Sequence, residues 1–188
     1  MEEELKQKLD NLQKEVEELK TKLANVENKN QDQLSIAIIS GDLDKILATM
    51  IISLAAAAME TKVKLFFSFW SLSALRDPKK RAKSKDFISK MFGIMLPKGR
   101  NKLKLSKMNM SGIGAALIKK LMKKQNILSL DEMFEQAEEL GIEIIVCEMS
   151  MNLMGIKKEE LIDYKYLSYA GAASFVADAG ESNIQLFI

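Results

Sequence analysis

Short apolar runs of β-forming residues recur along the chain with helical segments between them, and this alternation restricts the architecture more than any other feature. The runs are residues 34–40 (LSIAIIS), 63–69 (VKLFFSF), 141–147 (GIEIIVC) and 184–188 (IQLFI). The first passes through Gly41 and Asp42 into a helical segment, 43–59, which is the strand, tight turn and helix that open a doubly wound unit. One intervening helix between the first two runs predicts a parallel, right-handed crossover. An amphipathic segment at 130–140 precedes the third run, and a small-residue helical segment at 171–179 precedes the last. With a brief strand at 166–168, the pattern predicts an α/β fold: a mainly parallel sheet of about five strands, covered by helices on both faces. At 188 residues the chain accommodates one such domain and a modest appendage.

The appendage is N-terminal. Leu5, Leu9, Leu12, Val16, Leu19, Leu23 and Val26 alternate steps of four and three, with Lys, Glu, Gln and Asn between them. This is a heptad seam, and a lone helix of that length needs a partner surface. The spacing predicts a coiled-coil helix over residues 1–30, a polar linker over 25–33 and an α/β domain over 34–188. Self-association of the helix makes a homo-oligomer the expected assembly.

Charge is unevenly distributed. The net charge is only +2, yet residues 76–124 hold 16 Lys or Arg against two acids, Asp77 and Asp86. Such a segment either attracts an anionic ligand, an acidic partner or a membrane surface, or forms a solvated face balanced by the acidic remainder. Much of it lies between the second strand and the helix at 130, where the sheet requires no chain. Its centre, 83–95, is amphipathic, with Phe87, Met91 and Met95 at four-residue spacing, and 97–110 is expected to be a mobile basic loop. The longest charge-free run, 46–59, is too short to cross a bilayer and reads as a helix buried on the sheet. The acidic start of the chain, with its single cysteine and therefore no disulfide partner, fits a cytoplasmic protein.

No histidine is present and only one cysteine. Histidine-dependent triads, Cys–His dyads and Cys/His zinc sites are thereby excluded, which leaves thiol, carboxylate, lysine, hydroxyl and backbone groups for any chemistry. Cys147 ends an apolar strand, and the carboxyl ends of parallel strands form the ligand-binding edge. A thiol there serves a site or is an inert core residue. Ser40, Gly41 and Asp42 end the first strand on the same edge, with Asp42 expected to cap the following helix. Residues 69–71 are expected to end the second strand, where Trp70 either walls the crevice or packs in the core. Gly112-Ile113-Gly114 lacks the third glycine of a dinucleotide fingerprint and reads better as a helix start. The methionines near the cysteine, Met149, Met151 and Met154, suit adaptable packing better than a metal site.

Longer stretches carry a family resemblance. SGDLDK (40–45), FFSFW (66–70), LPKG (96–99), KLKLSKMNM (102–110) and CEMSMNLMGIKKEELID (147–163) resemble the DsrE/DsrF-like sulfur-carrier family, and in particular its larger, peroxiredoxin-like members. The resemblance spans about 34–188. It implies a three-layer α/β/α sandwich, oligomeric assembly and a cysteine that holds sulfur as a persulfide, with Cys147 at the family position. TusA-like or rhodanese-like carriers are the implied donors or acceptors.

The function expected from this reading is a sulfur carrier or sulfurtransferase that uses Cys147 as nucleophile. Backbone N–H groups of Met149 and Ser150 hold the anion, and Gly41, Asp42 and Trp70 shape the crevice. Thiol exchange of this kind requires no cofactor and no metal. No nucleic-acid partner is expected, and a membrane surface is a lesser expectation than a protein partner. A thiol peroxidase and a non-catalytic assembly protein are the alternatives.

Overall fold

The computed structural model describes residues 2–27, 31–82 and 87–188. A helix, α1 (Glu2–Glu27), comes first, followed by β1 (Gln31–Ile38), α2 (Leu43–Ala58) and β2 (Lys62–Phe67). The insertion contributes α3 (Phe87–Met95), α4 (Ile113–Lys124) and short 3-10 turns. The chain then runs through α5 (Leu130–Glu139), β3 (Glu143–Cys147), α6 (Glu148–Leu153), β4 (Leu167–Ala170), α7 (Ala172–Gly180) and β5 (Ser182–Phe187).

The five strands form one parallel sheet in the order β4-β3-β2-β1-β5. From β1 to β4 each strand is laid beside the one before, and the crossover segments pack on one face. Step β4 to β5 reverses direction across the sheet and carries α7 to the other face. Right-handed crossovers require this division, because reversing direction puts the helix on the opposite side. The result is the α/β/α architecture.

The two faces are unequal. Alternate strand residues Leu34, Ile36, Ile38, Leu65, Phe67, Ile144 and Val146 pack with α2, α5 and the 69–75 turn into the main core. Their neighbours Ala37, Phe66, Ile145 and Cys147 face the other way and form a small cluster with Phe175 of α7. Phe175 lies between Phe66 and Phe187, with ring centroids 5.5 and 5.4 Å apart. Helix α5 starts at a capping box: the Glu132 carboxylate accepts from the Ser129 N–H at 2.7 Å, and Ser129 Oγ accepts from the Glu132 N–H.

Several sequence expectations are corrected. Helix α1 runs to Glu27 and β1 begins at Gln31, so the expected linker over 25–33 is much shorter; positions 28–30 lie outside the described residues. Gln33 belongs to the sheet, where it pairs with Lys62 and its side-chain N–H donates to Ser182 Oγ at 2.8 Å. Strand β2 ends at Phe67, and Phe69–Leu75 is a 3-10 helix. Only one side of α2 is buried, with Ile51 and Ile52 exposed, as is Met59 just beyond its end. Within the 83–95 segment, positions 83–86 and the Phe87 side chain lie outside the described residues; Phe92 packs on the core while Met91 and Met95 are exposed.

The basic loop is tied down. Lys104 O accepts from the Leu43 N–H at 2.7 Å, Asp44 accepts from the Ser106 N–H at 2.8 Å, and Leu103 is buried. Arg76, itself buried, donates to carbonyls of Gly93, Leu96 and Pro97 and lies 3.6 Å from buried Glu160. These bonds hold the insertion against the end of the sheet. The Gly112-Ile113-Gly114 motif also has a packing explanation: a Cβ at Gly114 would overlap the Met108 carbonyl.

Candidate functional site

Cys147 is the last residue of β3 and the N-cap of α6. Register places Val146 beside Phe67, so the residue after β2, Ser68, lies beside the cysteine. Ser68 and Ser150 hydroxyls are 2.8 Å apart, joining the end of β2 to the first turn of α6. Burial pushes the Cys147 thiol up, but the Ser150 hydroxyl and N–H, the Ser68 hydroxyl and the Met149 N–H outweigh it. They bring the thiol below its ordinary value. Glu148, the adjacent acid, is turned to Lys158 at 3.2 Å.

Ser68 is held by its own support. Its N–H donates to Ser71 Oγ at 2.9 Å, and that oxygen lies 2.7 Å from the carbonyls of Ile38 and Ser68. The next residue, Phe69, has φ +48°, a left-handed conformation that is costly for an aromatic residue. The turn that presents Ser68 is therefore held by surrounding bonds against a local backbone penalty. Sequence reading missed Ser68 and Ser71. Their signal was the first two serines in FFSFWSLS, which become meaningful only when β2 and β3 are known to be neighbours.

The expected open crevice is not where the sulfur lies. Cys147 is only 1% exposed and packs in the α7-side cluster with Ile145 and Phe66. Ser40, Gly41, Asp42 and Trp70 instead line a separate cavity of about 260 Å3 with Ser73 and Lys104. Trp70 is 53% exposed, so it is a wall residue and not a core tryptophan. Gly41 packs beneath it, where a Cβ would overlap the Trp70 carbonyl. Asp42 occupies the N-cap position of α2 without capping it; its carboxylate accepts from Ser40 Oγ at 2.9 Å. Lys104 O has taken over the first N–H of that helix. Met149 and Ser150 are brought to Cys147, whereas Gly41, Asp42 and Trp70 are grouped at the separate cavity.

Among the described residues, no three His, Cys, Asp or Glu side chains cluster in a way that could hold a metal ion. No described helix is long and apolar enough to cross a membrane.

A parallel α/β/α sheet that delivers one thiol, ringed by hydroxyl and N–H donors, to its carboxyl edge defines a class of cysteine-bearing α/β proteins. The chain belongs to the DsrE/DsrF/DrsH-like family, whose pattern matches residues 30–187. YrkE of Bacillus subtilis (strain 168), an uncharacterized protein, is 44% identical over 154 residues, covering 82% of this chain and 95% of its own. Sulfur carrier protein DsrE2 of Allochromatium vinosum is 34% identical over 162 residues, covering 84% and 99%. In fold, the chain resembles the crystal structure of the YchN protein from E. coli, with a TM-score of 0.50 at 10% identity, covering 83% of this chain and 99% of that one.

Proposed function

We propose that this protein is a sulfur carrier that holds sulfane sulfur as a persulfide on Cys147 and relays it to a partner. The observation that carries the reading is the lowered thiol within the Ser68, Ser150 and Met149 donor set. The family and the 34% identical sulfur carrier support the same chemistry.

In the loading step, the Cys147 thiolate attacks the terminal sulfur of a donor persulfide. The donor S–S bond breaks, its thiolate leaves with the electron pair, and Cys147 retains the outer sulfur as a persulfide anion. In the unloading step, an acceptor thiolate attacks that outer sulfur, and Cys147 departs as thiolate. Electrons balance within the two thiols, so no external oxidant or reductant is needed. Hydroxyl and N–H donors stabilise the departing thiolate as well as the attacking one. A peroxidatic site would call for a guanidinium at the sulfur, and none is among the groups that hold this thiolate.

Because the thiol is buried, exchange requires local opening at the sheet edge. Exposed Phe69, Trp70, Met149 and Leu153 follow the two strand ends closely in sequence and offer a carrier protein apolar contact there. TusA-like or rhodanese-like proteins are the expected partners. Helix α1 exposes Leu9, Leu12, Val16 and Leu19 of its heptad seam, while the side chains of Leu5, Leu23 and Val26 lie outside the described residues. Pairing of this seam between copies assembles the oligomer.

Intact-protein mass spectrometry after incubation with polysulfide tests the reading. One added sulfur, removed by reductant and absent in Cys147→Ser, is the expected result. A folded wild-type protein that gains no sulfur overturns it.

A further inference from the structure

On the face of the sheet opposite the Cys147 side chain, α2, α4 and the start of α5 enclose a pocket of about 550 Å3. This size is typical of a small-molecule site. Leu43, Leu47, Met122 and Ile127 give it apolar walls, and Arg100, Lys119 and Lys123 place three cations on the lining. The antiparallel course of α2 and α5 relative to the strands puts both of their N-termini, and so the pocket, at the carboxyl edge of the sheet.

Arg100 is the informative residue. Its Nε donates to Asp131 Oδ1 at 2.8 Å, and its guanidinium lies 4.4 Å from the centre of the Phe134 ring. Its Nη1 is buried and has no hydrogen-bond partner among the described residues. A permanently charged group with a buried, unused donor carries an unrecovered desolvation cost, which an anion beside it would remove. Asp131 is already shared with Asn101 Nδ2 at 2.8 Å, and Glu132, the acid on the pocket lining, is committed to Ser129. Neither carboxylate supplies the missing contact. Lys119, Lys123 and Met122 are unbranched, so small rotations of the wall give a ligand access to the guanidinium.

From this arrangement we infer that the pocket binds an amphipathic organic monoanion. Its carboxylate lies against Arg100 and the two lysines, and its apolar chain against Leu43, Leu47, Met122 and Ile127. A multivalent phosphate fits less well, because Asp131 already pairs with Arg100 and Glu132 adds a negative charge to the lining, which leaves compensation for about one negative charge. The inference does not depend on persulfide chemistry, since the pocket and the thiol lie on opposite faces of the sheet.

Decanoate is a suitable probe, followed through the methyl resonances of Met, Ile and Leu in the full-length protein. Saturable shifts are expected at Leu43, Leu47, Met122 and Ile127. Decan-1-ol, which keeps the chain without the charge, should bind about tenfold more weakly, as should decanoate to Arg100→Gln. Lys123→Glu and Ile127→Asp alter exposed positions, so the fold should survive; each should weaken binding several-fold and leave Cys147 alkylation unchanged. If Arg100→Gln fails to fold, these two variants carry the test. Absence of saturable shifts, equal binding of decan-1-ol, or unchanged decanoate affinity in the folded variants overturns the inference.

Discussion

Removing the Ser68 hydroxyl should raise the pKa of Cys147, and its size can be worked from the contacts. In Ser68→Ala, the thiolate loses one donor and Ser150 Oγ loses the partner 2.8 Å away. A hydrogen bond to a charged acceptor contributes about 1.5–3 kcal/mol, against about 0.5–1.5 kcal/mol for a neutral one. The difference between thiolate and thiol is thus about 1 kcal/mol, or roughly 0.7 of a pKa unit. Burial opposes the thiolate equally in both proteins, because alanine leaves the site enclosed. Ser150→Ala should act in the same direction while retaining its N–H contact. The double variant should exceed either single one but fall short of their sum, since each hydroxyl has one proton and a bond between the two withdraws one of them from the thiolate. Alkylation rate against pH, read by intact mass, gives the midpoint. Stability should follow the same linkage. The folded pKa lies below the unfolded one, so the contribution is full above the unfolded value and disappears as pH falls through the folded value. Wild type should therefore gain stability as pH rises between the two values, and Ser68→Ala should gain less. A folded double variant with an unshifted alkylation midpoint would refute the donor-ring account of the thiol.

Other substitutions probe the frame around the site. Gly41→Ala forces a Cβ into the Trp70 carbonyl, which should cost about 1–3 kcal/mol; denaturant unfolding and emission from Trp70, the sole tryptophan, should both change, and an unchanged pair would contradict the close approach. Glu160→Ala strands the buried Arg76 guanidinium and should destabilise by about 3–5 kcal/mol, so a loss below about 1 kcal/mol in chemical denaturation would show that the pair does not anchor the insertion. Deleting residues 1–30 should lower the number of chains per particle found by sedimentation while leaving Cys147 alkylation intact; an unchanged number would remove α1 from the assembly.

Local pattern was enough to specify the βα alternation, the parallel sheet and the long N-terminal helix. Strand residues facing a core must be apolar, and the crossover between parallel strands needs a helix-length segment, so runs such as 63–69 and 141–147 carry their own assignment. The absence of histidine and the single cysteine likewise marked Cys147 as the one thiol available to any chemistry, and the long motif beginning there carried the family. Which residues meet was beyond local pattern. Ser68 and Ser150, 82 positions apart, come together only because β2 and β3 are neighbours in a fixed register. Alternation along β3 says that Cys147 and Ile145 share a face, but not that this face is the thinly covered one under α7, where the thiol is buried. Asp42 has the chemistry and position of a cap, yet its carboxylate accepts from Ser40 Oγ, and the first N–H of α2, on Leu43, is satisfied by Lys104 O from 61 residues away. Propensity and periodicity act over a few residues, whereas burial, register and hydrogen-bond competition are settled only when distant segments pack. The fold class was thus written in the sequence, and the environment that tunes the sulfur was decided by tertiary structure.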